Sequence, residues 1–187
     1  MSTEVIAWTG SQAVDVQSGD TRLAGRLHDG KLNGPLRIEE NGRQLASLNY
    51  SNGALQGMSL TYHPNGKVSA QLPYVNDRLH GIASYYSPEG LLQRKATHHN
   101  GLLHGEASNH YPDGQPAELE HYRDGVRDGL YRRFHGNGNV AFEARYLNGQ
   151  KLDQEQQFAE DGRPLDAKGK PVSRLRWWWT QQGAADE

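Results

Sequence analysis

The sequence contains no cysteine, only two methionines and only three phenylalanines in 187 residues. Without cysteine there is no disulfide framework and no thiolate metal site, which is expected of a protein at work in a reducing compartment, the cytoplasm. Leu, Ile, Val and Phe together supply 34 residues, a share that points to disorder if composition is the only guide. Disordered chains normally also carry a large net charge, whereas 20 basic and 22 acidic side chains here leave a formal net charge of −2. The two signs are interspersed, with no basic block of the kind that grips a phosphate backbone, so no nucleic-acid partner is expected. No window approaches the roughly 18 apolar residues of a membrane span. At the start, Glu4 stands where a secretory leader carries basic residues, so export by that route is not expected. What remains is an ordered protein with a thin core.

Glycine, by contrast, is abundant and periodic. Gly42, Gly66, Gly90, Gly114, Gly138 and Gly162 are spaced 24 residues apart. A second set pairs Gly53 with Gly57, Gly101 with Gly105 and Gly125 with Gly129, while Asp77 precedes Gly81 in the same pattern and Asp153 fills a later glycine slot. A fixed period of this length marks a repeat architecture, which offers a surface rather than a catalytic pocket. Each unit holds two turn signals. Pro64-Asn65-Gly66, Pro88-Glu89-Gly90 and Pro112-Asp113-Gly114 combine a proline preset for the first corner with a glycine that accepts positive φ. Asn52-Gly53, Asn76-Asp77, Asn100-Gly101, Asp124-Gly125 and Asn148-Gly149 supply the second.

Two turns per unit leave strands of about 5 to 7 residues, hairpin length rather than helix length. Alternation in Met58, Leu60, Tyr62 and in Val68, Ala70, Leu72 predicts one apolar and one wet sheet face. Tyr62, Tyr86, His110, Phe134 and Phe158 occupy one repeated slot, and Tyr50, Tyr74, His98, Tyr122 and Tyr146 another. The expected fold is all-β: an elongated, curved antiparallel meander of hairpin repeats over residues 27–165. Residues 1–26, with Val5, Ile6 and Trp8, read as an N-terminal cap or degenerate repeat, and residues 166–187 as a C-terminal cap or tail. In that tail Lys168, Lys170, Arg174 and Arg176 lead into Trp177, Trp178 and Trp179. It reads either as a cover for the last sheet edge or as a basic, aromatic anchor for a membrane or partner.

One stretch breaks the apolar slots. Where flanking units hold Met58, Leu72, Ile82 or Leu130, the middle holds Arg94, His98, Glu106, His110, Glu118 and Glu120. A hairpin closed at Pro112-Asp113-Gly114 with residue 110 opposite 116 sets Glu106 opposite Glu120. Continued through the loops, this register predicts a row His98, Glu106, Glu120, Arg132, with neighbours about 5 Å apart. The row either neutralises itself on a solvated face or forms a polar notch for a partner, flanked by Tyr86, Tyr122 and Phe134. These ten residues are the candidate partner-binding set.

Other chemistries are poorly served. Equivalent histidines such as His80 and His104 fall two strands apart, about 9.6 Å, too far to share one ion; mixed His and Glu ligands within the row stay open. Gly136-Asn137-Gly138 resembles part of a phosphate loop, but the period explains Gly138 and no helix follows. No nucleophile elbow is present, and a shallow sheet gives Glu118 and Glu120 little of the burial that tunes a general acid or base. No cofactor, metal or enzymatic activity is expected.

Units such as Tyr122-Arg-Asp-Gly-Val-Arg-Asp-Gly129-Leu-Tyr-Arg-Arg-Phe134 followed by Gly138 resemble the variant MORN repeat, a hairpin repeat rich in Tyr, Asn-Gly and Gly. Bacterial chains made almost only of such units are similar to the YwqK-type antitoxin family and related immunity proteins. The resemblance implies a non-enzymatic protein that binds a cognate toxin or effector directly. It implies, as the alternative, a structural scaffold or membrane-associated adaptor.

Overall fold

The computed structural model describes residues 10–177, apart from the side chains of residues 153 and 154. The segments around Val5, Ile6 and Trp8 and around Trp178 and Trp179 lie outside the described residues, as does the Asp153 side chain. The described chain is all-β except for one helical turn at residues 174–177. It divides into two compact units, Met1–Leu102 and Leu103–Glu187.

In the first unit the strands follow chain order as an open antiparallel meander: β1 (Ser11–Ser18), β2 (Thr21–His28), β3 (Lys31–Leu32), β4 (Gly34–Glu40), β5 (Arg43–Ser51), β6 (Ala54–Leu55), β7 (Gly57–Tyr62), β8 (Val68–Val75), β9 (Arg78–Leu79), β10 (Gly81–Tyr86) and β11 (Leu92–His99). The turns dictate this. Asn52 and Gly53 both take positive φ, 50° and 86°, the type I′ geometry whose twist matches the flanking strands. Asp77 fills a glycine slot at φ 64°, and its Oδ1 accepts the Leu55 N–H at 2.7 Å. That bond offsets part of the cost of the left-handed backbone. At the opposite end of the hairpin, the Gly66 N–H donates to the His63 carbonyl and the His63 N–H to the Lys67 carbonyl, both at 2.8 Å.

The side chains do not keep the alternation that the sequence suggests. Tyr62 pairs with Val68 but Thr61 with Ala70, so β8 carries one extra residue beside the turn. A bulge of this kind exchanges the faces of everything beyond it. Leu60 therefore pairs with Gln71 and Ser59 with Leu72, and the expectation that Met58 and Leu60 share a face with Ala70 and Leu72 is overturned. The same step recurs between Ile38 and Glu39 and between Tyr85 and Tyr86. One face of the unit carries Tyr50, Tyr74 and His98 opposite Gly34, Gly57 and Gly81; we call it the tyrosine face. Its centre is small and buried, with Ser59 and Ala83 at 0% exposure and Ala96 at 1%. The other face bears Met58 and Ile82, 44% and 55% exposed.

The second unit repeats the plan with β12 (Leu102–His110), β13 (Pro116–Arg123), β14 (Val126–Arg127), β15 (Gly129–Phe134), β16 (Val140–Leu147) and β17 (Gln150–Gln157). Its bulges fall between Asn109 and His110 and between Arg133 and Phe134, and a further register shift lies between Ala144 and Tyr146. Beyond β17, bridges Phe158↔Pro164 and Leu165↔Pro171 continue the hairpin pattern with shorter arms.

Buried alanines and serines remove little apolar area, about 0.8 kcal/mol for each methylene-sized group, so directional bonds between successive hairpins matter more than usual. On the type I′ edge the turns donate an amide to a carbonyl just after the preceding turn: Gly53 to Leu32 and Gly101 to Leu79 in the first unit, Gly125 to Leu103 and Gly149 to Arg127 in the second, all at 2.8 Å. On the other edge side chains do the same work. His63 Nε2 donates to the Tyr86 carbonyl at 2.8 Å, Tyr111 Oη to that of Phe134 at 2.7 Å and His135 Nε2 to that of Phe158 at 2.9 Å. Among the described residues no helix is long and apolar enough to cross a membrane.

Candidate functional site

The bulge beside Pro112-Asp113-Gly114 decides where the candidate residues go. His110 pairs with Pro116 as expected, but Asn109 then pairs with Glu118, Ala107 with Glu120 and Glu106 with His121. Ala117 is the additional residue, and it places Glu106 and Glu120 on opposite faces. Across the next turn Leu119 pairs with Arg132 and Glu118 with Arg133. The expected row is therefore not formed: within the second unit Glu106 and Arg132 occupy one face, Glu120 the other. Arg132 instead meets Glu143, Nε to Oε2 at 2.8 Å.

On the tyrosine face of this unit, marked by Tyr122 and Tyr146 opposite Gly105 and Gly129, the structure assembles a different cluster. Glu120 is 4% exposed and accepts a short hydrogen bond from the Arg127 guanidinium. Glu118 accepts from Tyr131 Oη at 2.6 Å on one oxygen and from Asn109 Nδ2 at 2.5 Å on the other. The Arg127 guanidinium lies 5.3 Å from the Tyr131 ring centre and 5.5 Å from that of Tyr146. Tyr131 packs edge-on against Phe142 and Tyr146, at 5.8 and 6.1 Å. Arg133 covers the Phe142 ring at 4.9 Å. Each aromatic ring thus meets a cation or a ring edge, the arrangements that its quadrupole favours.

The electrostatics follow from that packing. Burial, and then the bond to Glu118, push the Tyr131 hydroxyl from its ordinary 10 up to about 12. Arg127 is held above its ordinary value by the Tyr122 hydroxyl and, next, by Glu120. A phenol that stays protonated and a guanidinium that stays charged make a fixed donor set for the two carboxylates.

The remaining candidates are scattered. Arg94 stands opposite Tyr85 and His98 opposite Gly81, both half-buried in the first unit; His98 Nδ1 is 3.0 Å from the Ala96 carbonyl. Tyr86 Oη donates to Gln71 at 3.1 Å. Glu106 is exposed, and His110 Nδ1 is buried without a hydrogen-bond partner among the described residues. Phe134 lends its carbonyl to Tyr111. Among the described residues no three His, Asp or Glu side chains are placed to hold a metal ion.

Sequence reasoning missed Arg127, Tyr131, Arg133, Phe142 and Tyr146 as members of one cluster. A signal was present in the period. Arg127 fills the slot of Leu55, Leu79 and Leu103, Tyr131 that of Ser59, Ala83 and Ala107, and Glu120 that of Leu48, Leu72 and Ala96.

Three segments of the chain, residues 55–76, 103–124 and 127–148, match the MORN repeat variant family. The last two carry Glu118, Glu120, Arg127 and Tyr131 between them. No curated protein matches the chain. Repeats of this kind are a structural scaffold of the protein-binding type.

Proposed function

We propose that the protein is a non-enzymatic binding protein of the cytoplasm, an antitoxin or immunity protein that neutralises a cognate protein toxin or effector by occupying its surface. The observation that carries this reading is the cluster on the tyrosine face of the second unit, where Glu120, Arg127 and Tyr131 replace the small or apolar side chains of the preceding repeats and Glu118 accepts from Tyr131. Its members satisfy one another, so the surface is ordered before a partner arrives and loses little entropy on binding. Tyrosine and arginine are also the residue types that dominate binding energy at protein interfaces. Arg133, exposed above Phe142, is the contact residue, with Glu118 opposite it and Tyr122 further along the same face.

The test is growth rescue: the chain is co-expressed with the toxin encoded beside its own gene, and the pair is then isolated. Rescue that is lost on Arg133→Glu, with the far-ultraviolet spectrum unchanged, is the expected result. Rescue that survives this change places the contact elsewhere, and absence of any rescue removes the antitoxin reading. A membrane-associated scaffold is the second reading, favoured by Leu175, 73% exposed among the exposed basic residues Lys168, Lys170, Arg174 and Arg176. Flotation with anionic liposomes that depends on these residues would support it.

A further inference from the structure

The first unit turns an apolar row outward on the face opposite its tyrosines. Met58 pairs with Pro73, and the register Ser84↔Gln71, continued by two residues, brings Ile82 across from Pro73. Met58, Pro73 and Ile82 thus lie side by side on three neighbouring strands, about 5 Å apart. Met58 and Ile82 are 44% and 55% exposed. Scattered exposed apolar residues need no explanation, but a contiguous row on a folded sheet marks an interaction surface.

Within the first unit, the charges of this face that are left without an ion pair have one sign. On the strands of this face the acids are Asp15 and Glu39, and Arg22 takes both, at 2.5 Å and 3.7 Å. Arg26 and Arg37 on β2 and β4, and Lys95 opposite Ser84 on β11, are exposed and have no ion pair among the described residues. Arg26 and Arg37 also line a concavity of about 850 Å³ where the β2–β4 pairing is interrupted, together with Pro35 and His28. A second copy of the same face would set these cations against one another, which disfavours self-association.

We infer that this face of the first unit is a docking surface for an acidic protein segment, whose apolar side chains cover Met58, Pro73 and Ile82 while its carboxylates meet Arg26, Arg37 and Lys95. It lies in the other unit from the cluster assigned to the toxin and does not depend on that assignment. Arginine suits the task because its fork takes a carboxylate through two parallel bonds.

Fluorescence anisotropy at physiological salt tests the assignment with two labelled peptides, one alternating Leu with Glu and one alternating Leu with Lys. The Leu-Glu peptide is expected to bind and the Leu-Lys peptide not to. Arg26→Glu with Arg37→Glu, and separately Ile82→Asp, should each weaken binding by about tenfold or more, while Glu118→Gln in the second unit leaves it unchanged. Lys95→Glu, a single exposed change, keeps the test open should the double variant fail to fold. Equal binding of both peptides, or no binding of the acidic one, overturns the inference. So does a dimer in sedimentation that Ile82→Asp dissolves, or binding confined to anionic lipid vesicles.

Discussion

The two units draw on one backbone plan and fill it with different chemistry. In the first, the slots of Leu72 and Leu79 on the tyrosine face are apolar, and Met58, Pro73 and Ile82 are apolar on the other. In the second, Glu120 and Arg127 replace the two leucines, and on the other face Glu106 and His121 fill the slots of Met58 and Pro73, while Leu130, opposite Arg145, keeps the slot of Ile82 apolar. The type I′ turns, the bulge beside each proline-type turn and the turn-to-turn amide bonds recur in both. The architecture is therefore held by backbone geometry, which leaves the side-chain slots free to vary with function.

Breaking the exchanged pair gives the largest effect. Arg127→Leu alone leaves Glu120 buried without its cation, and a urea melt should show a loss on the order of 3 kcal/mol. Combining it with Glu120→Leu reinstates the leucine pair of the first unit, and stability should return to the parent value or exceed it. If the double variant is as weak as the single one, the slots are not interchangeable.

Asp77→Ala tests the turn side of the comparison. Alanine at φ 64° keeps the left-handed backbone while losing the bond to the Leu55 amide, so about 2 kcal/mol should be lost. Asp77→Gly, which recreates the turn found elsewhere, should cost less than half of that in the same melt.

Tyr131→Phe removes one charge-assisted bond to Glu118 and should cost about 1.5 kcal/mol. The hydroxyl also links stability to pH. Its folded value is raised from 10 to about 12, so its contribution is complete below pH 10 and declines as pH rises from 10 to 12. Phenolate absorbance of the parent and the Phe variant should differ by one late-titrating tyrosine, and a difference at ordinary tyrosine pH would contradict the burial of Tyr131. The smallest effect is expected at Ile82→Asp, within about 0.5 kcal/mol, because that side chain already faces water.

Much of the fold is legible in the sequence because glycine, asparagine and proline act locally. Asn52-Gly53 and Pro64-Asn65-Gly66 specify their turns through φ alone, whatever the rest of the chain does. The cluster is less legible because its assembly depends on parity. Ala117 is an ordinary residue for a strand, yet as the additional residue of a bulge it decides whether Glu106 faces Glu120 or turns away. Nothing in Ala117 itself announces that role. Arg127 and Tyr131 depart from their slots in plain view, but pairing them with Glu120 and Glu118 requires the second register shift, between Arg127 opposite Tyr122 and Arg132 opposite Leu119.

The amide bonds from Gly53 to Leu32, Gly101 to Leu79, Gly125 to Leu103 and Gly149 to Arg127 each reach back a little over 20 residues and no further. Folding can therefore zip from any hairpin to its neighbour without waiting for the ends of the chain to meet. It also makes length a quantised property. A gain or loss of 24 residues keeps every donor facing an acceptor, whereas a change of 12 would bring a proline-type turn to the asparagine-glycine edge and leave its amides and carbonyls mismatched.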